Sequence, residues 1–409
     1  MPRINAERLL ADLRALRRFG ATGHGVVRTS LSEPDVAARA WLLGRMREAG
    51  LDAHIDGVGN VIGRSLNPGK ALLMGSHTDT QPKGGWLDGA MGVIYALEIA
   101  RALAEDRETR GLAVDVASWV DEEGSYTICL GSRSFCGQIG EETIGVARNA
   151  AGHGLKEALQ AVGYDTAPRD RIDAGRYLGY FEAHIEQGGH LEATRNRIGV
   201  VTAIVGIRTF RVEFKGVQNH AGTTPMPIRK DAGLALIRLA YAVNEAFRKL
   251  AGERTVWTIG RASFDPGAQS IIPGRAEMSL QFRDPELARL DAFGAAFREL
   301  VERANREGPV EIAVTTMGAP IVPTPMDERL MAHVAAAAEA HAPGKWLRMP
   351  SGAGHDAMII AKEIPSAMMF VPSIGGVSND FAEDTAEDDI ALGCQVAATA
   401  AASLLKAHN

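Results

Sequence analysis

Histidines and carboxylates recur along this chain at a spacing that could hold divalent metal ions. His77 and Asp79 stand in the run Gly75-Ser76-His77-Thr78-Asp79-Thr80, and Asp88 follows in Trp86-Leu87-Asp88-Gly89. Next come the pair Glu122-Glu123 and His184 within Glu182-Ala183-His184-Ile185-Glu186-Gln187-Gly188. Imidazole nitrogen and carboxylate oxygen are the usual donors to zinc and similar ions, and a two-ion site needs a carboxylate to bridge ions ~3.5–4 Å apart. Such ions acidify bound water, so the chemistry would be hydrolysis. Asp79 could steady the His77 ring by accepting its other N–H. Adjacent carboxylates point in different directions, so one of Glu122 and Glu123 could ligate metal while the other acts as general base. Plainer readings stand beside these. Asp88 precedes a helical pattern and could be its N-cap. The acidic pair could be a solvated turn, and His184 a structural histidine. His220, in Asn219-His220-Ala221-Gly222-Thr223-Thr224-Pro225, could be a loop residue without function. Its glycine and threonine neighbours would equally let backbone approach a ligand closely.

The elements that must position these residues can be read from periodicity. Residues 34–50 carry apolar positions at helical spacing, with Ser32 or Glu33 near the cap and Gly50 as a stop. Residues 71–74 form a short apolar strand ending on Gly75-Ser76-His77, 89–104 a strong helix, and 112–120 a strand running into Asp121-Glu122-Glu123. Alternating strands and helices predict an α/β fold with a mostly parallel central sheet flanked by helices. Ligand sites in such sheets lie beyond the C-terminal strand ends, where His77 and Glu122-Glu123 fall. The middle of the chain differs. Strands over 209–214, 255–259 and 276–282 and long helices over 231–250 and 285–306 predict an inserted α+β domain. A helix over 327–340, a buried strand over 366–371 and a helix over 390–405 close the first domain. The expected boundaries are 1–206 with 320–409 for the catalytic domain and 207–319 for the insert.

Composition narrows the class. The chain has 409 residues, 46% hydrophobic and 23% charged, which suits a globular protein of two domains. A formal net charge of -6 gives no basic footprint, so nucleic acid is not expected as a partner. No apolar run reaches the ~18 residues of a membrane span. The Leu- and Arg-rich start reads as an amphipathic helix, not a leader peptide. Three cysteines without CxxC spacing, Cys129, Cys136 and Cys394, point to a reducing compartment and a cytoplasmic enzyme.

Taken together, the runs resemble the metallopeptidase M20 family and, within it, the hydantoinase/carbamoylase amidases. The resemblance also takes in Gly84-Gly85-Trp86, Leu130-Gly131-Ser132-Arg133, Ile272-Pro273-Gly274, Pro350-Ser351-Gly352-Ala353-Gly354-His355-Asp356-Ala357 and Phe381-Ala382-Glu383-Asp384-Thr385. A histidine at 184, where a carboxylate would mark the carboxypeptidase branch, is similar to the carbamoylases. The resemblance implies one ion on His77, Asp88 and His184, and a second on Asp88, Glu123 and a histidine at 379. It implies Glu122 as general base and acid, and His220 as oxyanion donor reaching across a homodimer through a lid/dimerisation domain. Arg283 would bind a substrate carboxylate with help from an upstream asparagine. Gln187, Asn219, Gly354 and His355 would line the pocket. The implied substrate is a small carboxylate-bearing N-carbamoyl amino acid or related ureido acid, and the implied cofactor is one or two divalent ions: zinc, manganese, cobalt or nickel.

Two positions depart from that pattern. Asn379 stands where the histidine is expected, in Ser378-Asn379-Asp380, and the neutral amide is the weaker ligand. Asp380 could swing in as a substitute carboxylate. Ser270 occupies the asparagine slot, with less reach. Two alternatives therefore stay open: an N-acyl-amino-acid deacylase, and a catalytically weakened binding protein on the same fold.

Overall fold

The computed structural model describes residues 1–408. The chain divides into two compact units, one formed by Met1–Thr202, Pro325–Met349 and residues from Ala353 onward, the other by Ala203–Thr324 and Pro350–Gly352.

The first unit is built on a nine-stranded sheet. Its order is Thr324–Pro325, Ile198–Ile204, Ser366–Val371, Tyr177–Ile185, Ala71–His77, Ala113–Trp119, Val61–Arg64 and Asp52–Ile55, with Trp346–Ser351 also pairing Ile198–Ile204. The four middle strands run parallel, and their neighbours on each side are antiparallel. This is the mostly parallel, helix-flanked sheet that the pattern predicts. Parallel middle strands are covered on both faces, so every residue of Ala71–His77, Ala113–Trp119, Tyr177–Ile185 and Ser366–Val371 is buried. Register pairs His77 with Trp119 and Val371 with Ile185, so these strands end at one edge of the sheet. The helix Ala90–Glu105 packs on this sheet and is buried from Ala90 to Leu103, as an almost wholly apolar helix must be. Gly92 allows the approach: a Cβ there would sit 2.2 Å from the carbonyl oxygen of Ala183.

The second unit is a four-stranded antiparallel sheet, ordered Val256–Asp265, Arg275–Asp284, Gly206–Lys215 and Glu311–Thr316. The strand Arg275–Asp284 alternates strictly, burying Ala276, Met278, Leu280 and Phe282. The helices Ala232–Leu250 and Leu287–Glu307 close over that face, with Leu236, Val243, Phe247, Phe293 and Phe297 in one shared core. Asp231 caps the first helix by accepting the N–H of Leu234 at 3.0 Å. A two-residue strand, Asn219–His220, pairs antiparallel with Ile271–Ile272.

Candidate active site

His77 is the last residue of its strand and His184 the last but one of the neighbouring strand. The loop leading into the helix Ala90–Glu105 brings Asp88 between them. Asp88 does not cap that helix. Gly89 is the N-cap, with φ 63, and the Asp88 carboxylate instead lies 3.1 Å from His184 Nε2 and 3.6 Å from His77 Nε2. Only glycine fits at 89, because a Cβ would stand 2.4 Å from the His77 ring. Among the described residues, His77, Asp88 and His184 are the one group of three or more such side chains whose ligand atoms all lie within 4.8 Å of one another.

Both rings are oriented by a main-chain carbonyl. His77 Nδ1–H donates to the main-chain carbonyl of Asp79 at 3.0 Å, and His184 Nδ1–H donates to that of Ile185 at 2.9 Å. Each Nε2 therefore faces Asp88 Oδ1, and His184 Nε2 also accepts the main-chain N–H of Gly89 at 3.1 Å. A ring nitrogen and a carboxylate oxygen this close in a buried site need positive charge between them, a proton in the metal-free protein or a metal ion in its place. The residues present thus fit a divalent ion. The expected role of Asp79 needs correcting: its carboxylate stays 3.9 Å from His77 Nδ1, because the residue's own carbonyl is the nearer acceptor. The carboxylate accepts the N–H of Glu123 at 3.3 Å and faces Arg39 at 3.9 Å.

Glu122 and Glu123 follow the strand Ala113–Trp119 on a loop pinned by Asp121. That carboxylate accepts the N–H groups of Ser125, Tyr126 and Thr127 at 2.7, 3.0 and 2.8 Å. Glu122 Oε2 lies 3.6 Å from His77 Nε2, and its Oε1 lies 4.0 Å from the thiol sulfur of Cys129. Glu123 turns away to Gln81, whose main-chain N–H and side-chain amide donate to its two oxygens at 3.2 and 2.7 Å.

Burial dominates the electrostatics. It holds Glu122 well above the usual carboxylate range, although His77 pulls the other way. Burial, then Asp88, pushes Glu123 up to about 7, and the same two causes push Glu383 to about 7. Burial and Asp79 bring Asp121 to about 7. Burial would raise Asp88 too, but the His184 and His77 imidazoles hold it below its ordinary value. Burial disfavours the imidazolium of His77, yet the Glu122 and Asp88 carboxylates outweigh it and raise the pKa. His184 is likewise raised against burial by Asp88. The pocket collects negative charge and calls for cations.

The other expected site residues are placed as follows. Gln187, at φ 57, donates its amide to Asp88 Oδ2 at 3.0 Å. His355, next to Gly354, is 2% exposed and packs edge-on against His184 with ring centroids 4.6 Å apart, so it supports that ring. Burial, then His184, holds it well below the ordinary histidine value. Asn379 and Asp380 are exposed; Asn379 takes a left-handed conformation, φ 53, and Asp380 Oδ1 accepts the N–H of Ala382 at 2.9 Å. In the second unit, His220 is exposed and its Nδ1 accepts the N–H groups of Gly222 and Thr223 at 3.1 and 3.2 Å. The ring proton must then reside on Nε2. Asn219 Oδ1 accepts the N–H of His220 at 2.8 Å, and the carbonyl of Ser270 accepts that of Ala221 at 2.9 Å. Arg283 Nε donates to Gln281 and Nη1 to the carbonyl of Gly352, each at 2.9 Å, which fixes the guanidinium plane.

Sequence patterns assign no role to several residues at the centre. Glu182 accepts from Ser76 Oγ at 2.7 Å and from the N–H of Ala357 at 2.9 Å. Asp356 accepts from Ser132 Oγ at 2.6 Å. Glu383 ties the Asp88 loop to the Asn379 loop. Gln81 holds Glu123. The signal for Glu182 was its i, i+2 spacing from His184, which puts both on one face of a strand.

Known proteins resemble this chain along nearly its whole length. Residues 73–403 match the model of peptidase family M20/M25/M40. The N-carbamoyl-L-amino-acid amidohydrolase of Paenarthrobacter aurescens is 33% identical over 97% of each chain. The allantoate amidohydrolase of Escherichia coli K12 is 32% identical over 94% of each chain. A crystal structure of a hydantoinase/carbamoylase-family amidase from Burkholderia phymatum superposes with a TM-score of 0.96, at 54% identity over the full length of both chains. The chain belongs to peptidase family M20/M25/M40, in its hydantoinase/carbamoylase amidase group.

Proposed function

We propose that this protein is a metal-dependent amidohydrolase that cleaves a linear C–N bond of an N-carbamoyl amino acid or related ureido acid. The observation that carries the reading is the convergence of His77 Nε2, Asp88 Oδ1 and His184 Nε2, with Glu122 Oε2 3.6 Å from His77 Nε2. The full-length likeness to amidohydrolases named for carbamoyl amino acids and allantoate supports the substrate class.

A divalent ion held by His77, Asp88 and His184 would acidify water and polarise the substrate carbonyl. Glu122 would take a proton from the attacking water and return it to the leaving nitrogen. Burial raises its pKa, which makes it a better proton acceptor once ionised. His220 suits the oxyanion role because the two amide N–H groups on Nδ1 leave Nε2 as a donor. Arg283, held by Gln281 and Gly352, keeps Nη2 for a substrate carboxylate among the described residues. With a carbamoyl substrate, one water adds and the products are the free amino acid, carbon dioxide and ammonia. The reading includes a lid-like, dimerising second unit with His220 serving the partner's site, and zinc, manganese, cobalt or nickel as the ion. Three free cysteines suit the reducing cytoplasm, and no helix among the described residues is long and apolar enough to cross a membrane.

The test is a panel of N-carbamoyl amino acids, ureido acids and N-acyl amino acids, given to chelator-stripped protein with each of the four ions. Metal-dependent ammonia release from carbamoyl or ureido compounds is expected. Release of carboxylic acid alone would make the protein a deacylase. No turnover with any ion would defeat the enzyme reading.

A further inference from the structure

We propose that this chain works with a single divalent ion, on His77, Asp88 and His184, and that hydrogen bonds from Gln81 and Gln187 close the place of a second. The proposal rests on the metal-dependent reading above and refines it.

A second ion would need Glu123, the outer oxygen of Asp88 and a further ligand at or near 379. Glu123 is engaged on both oxygens by Gln81, and the same Gln81 amide also reaches the Glu123 carbonyl at 3.3 Å. Asp88 Oδ2 receives the Gln187 amide at 3.0 Å while Oδ1 faces the two histidines. The partial positive charge of an amide N–H and a metal cation compete for the same negative potential. Both amides are neutral groups that no pH change removes. Among the described residues, Glu123 is also absent from the set of side chains that converge within 4.8 Å.

The third ligand position adds to this. Asn379 is exposed, and its own N–H is tied to Glu383 Oε2 at 3.2 Å. Its side-chain oxygen is a poor replacement for imidazole toward zinc-type ions. Asp380 is no substitute, since it is exposed and its Oδ1 already accepts the N–H of Ala382. Catalytic sites for such ions use about three protein ligands. The second place offers two that do not converge, with both oxygens of Glu123 held by Gln81, whereas the first place brings three ligand atoms together even though His184 Nε2 also accepts the N–H of Gly89.

The deciding experiment counts ions. Purified full-length protein is stripped with a chelator, reloaded with excess Zn²⁺ or, separately, Mn²⁺, passed through a desalting column and measured by elemental mass spectrometry, with calorimetric titration alongside. One equivalent per chain is expected for the wild type and for Glu123→Gln. None is expected for His184→Gln, with circular dichroism confirming that it folds. The double variant Gln81→Ala, Asn379→His should take up a second equivalent, because it removes one closing amide and restores the imidazole. Two equivalents in the wild type, a loss of metal in Glu123→Gln, or a double variant that stays at one would overturn the single-ion proposal and leave the metallohydrolase standing. Zero equivalents in the folded wild type would defeat the metal-dependent reading itself.

Discussion

The carboxylate of Glu383 accepts the main-chain N–H of Asp88 at 3.0 Å, across 295 residues of sequence. The same oxygen takes the N–H of Leu87 at 3.1 Å, and the other takes Ser378 Oγ and the N–H of Asn379 at 3.0 and 3.2 Å. Four donors on one buried carboxylate fix the loop that carries Asp88. Replacing Glu383 with Ala should therefore weaken metal binding about 10–100-fold, the usual penalty for removing a group that orients a ligand. It should also destabilise the protein by roughly 1–3 kcal/mol through unpaired buried donors. Metal titration and thermal melting of the variant check both figures.

Gly89 makes a sharper version of the same argument. Gly89→Ala would place a methyl 2.4 Å from the His77 ring at a φ of +63. The backbone cost alone is about 1–2 kcal/mol, and the ring must also move. Metal affinity is expected to fall further than the melting temperature does. A variant with unchanged affinity would show that the His77 ring position is not critical.

Glu122 lies beside the ligand group without belonging to it. Glu122→Gln keeps the shape and removes the proposed base. The expected result is a kcat lower by about 10²–10⁴-fold with metal content unchanged. Steady-state kinetics and metal analysis on one preparation separate this from simple loss of the ion.

Arg283 is argued to read the substrate carboxylate, so its variant should act on binding. Arg283→Lys loses the planar fork that Gln281 and Gly352 hold in place. A rise in KM of roughly 10–100-fold is expected, as for one charge-assisted pair. The wild type should in turn discriminate against the corresponding substrate amide by a similar factor, and the variant should not.

How much of this could be read in advance varied with how local the cause was. His77, Asp88 and the Glu122-Glu123 pair were legible because each follows or precedes an element with clear periodicity. No periodicity marks the strand Tyr177–Ile185, although it carries His184. All nine of its residues are buried, so it shows no alternation, and it includes Glu182 and His184. Those polar side chains are satisfied by Ser76, Ala357 and the Asp88 loop, partners that no local pattern announces. His355 illustrates the same limit. Its run marks it for the site, but only packing shows that it supports His184 from behind.

The buried carboxylates also predict an unusual pH response for metal-free protein. Glu123, Asp121 and Glu383 are each held near 7, chiefly by burial, whereas in the unfolded chain they titrate in the ordinary carboxylate range. The folded state then binds more protons than the unfolded state between about pH 5 and 8, so stability must fall as pH rises through that window. His77 and His184, whose pKa values are raised, act in the same direction, because they too hold protons that the unfolded chain releases earlier. A divalent ion on His77, Asp88 and His184 would displace the imidazole protons and, through its charge, favour the ionised form of the carboxylates around it. Stripped protein should therefore melt at progressively lower temperature from pH 5 to pH 8, while ion-loaded protein should lose much less, so the gap between them widens with pH. Thermal denaturation across that range, with and without Zn²⁺, measures the gap, and a gap that stays constant would mean the carboxylates are not relieved by the ion.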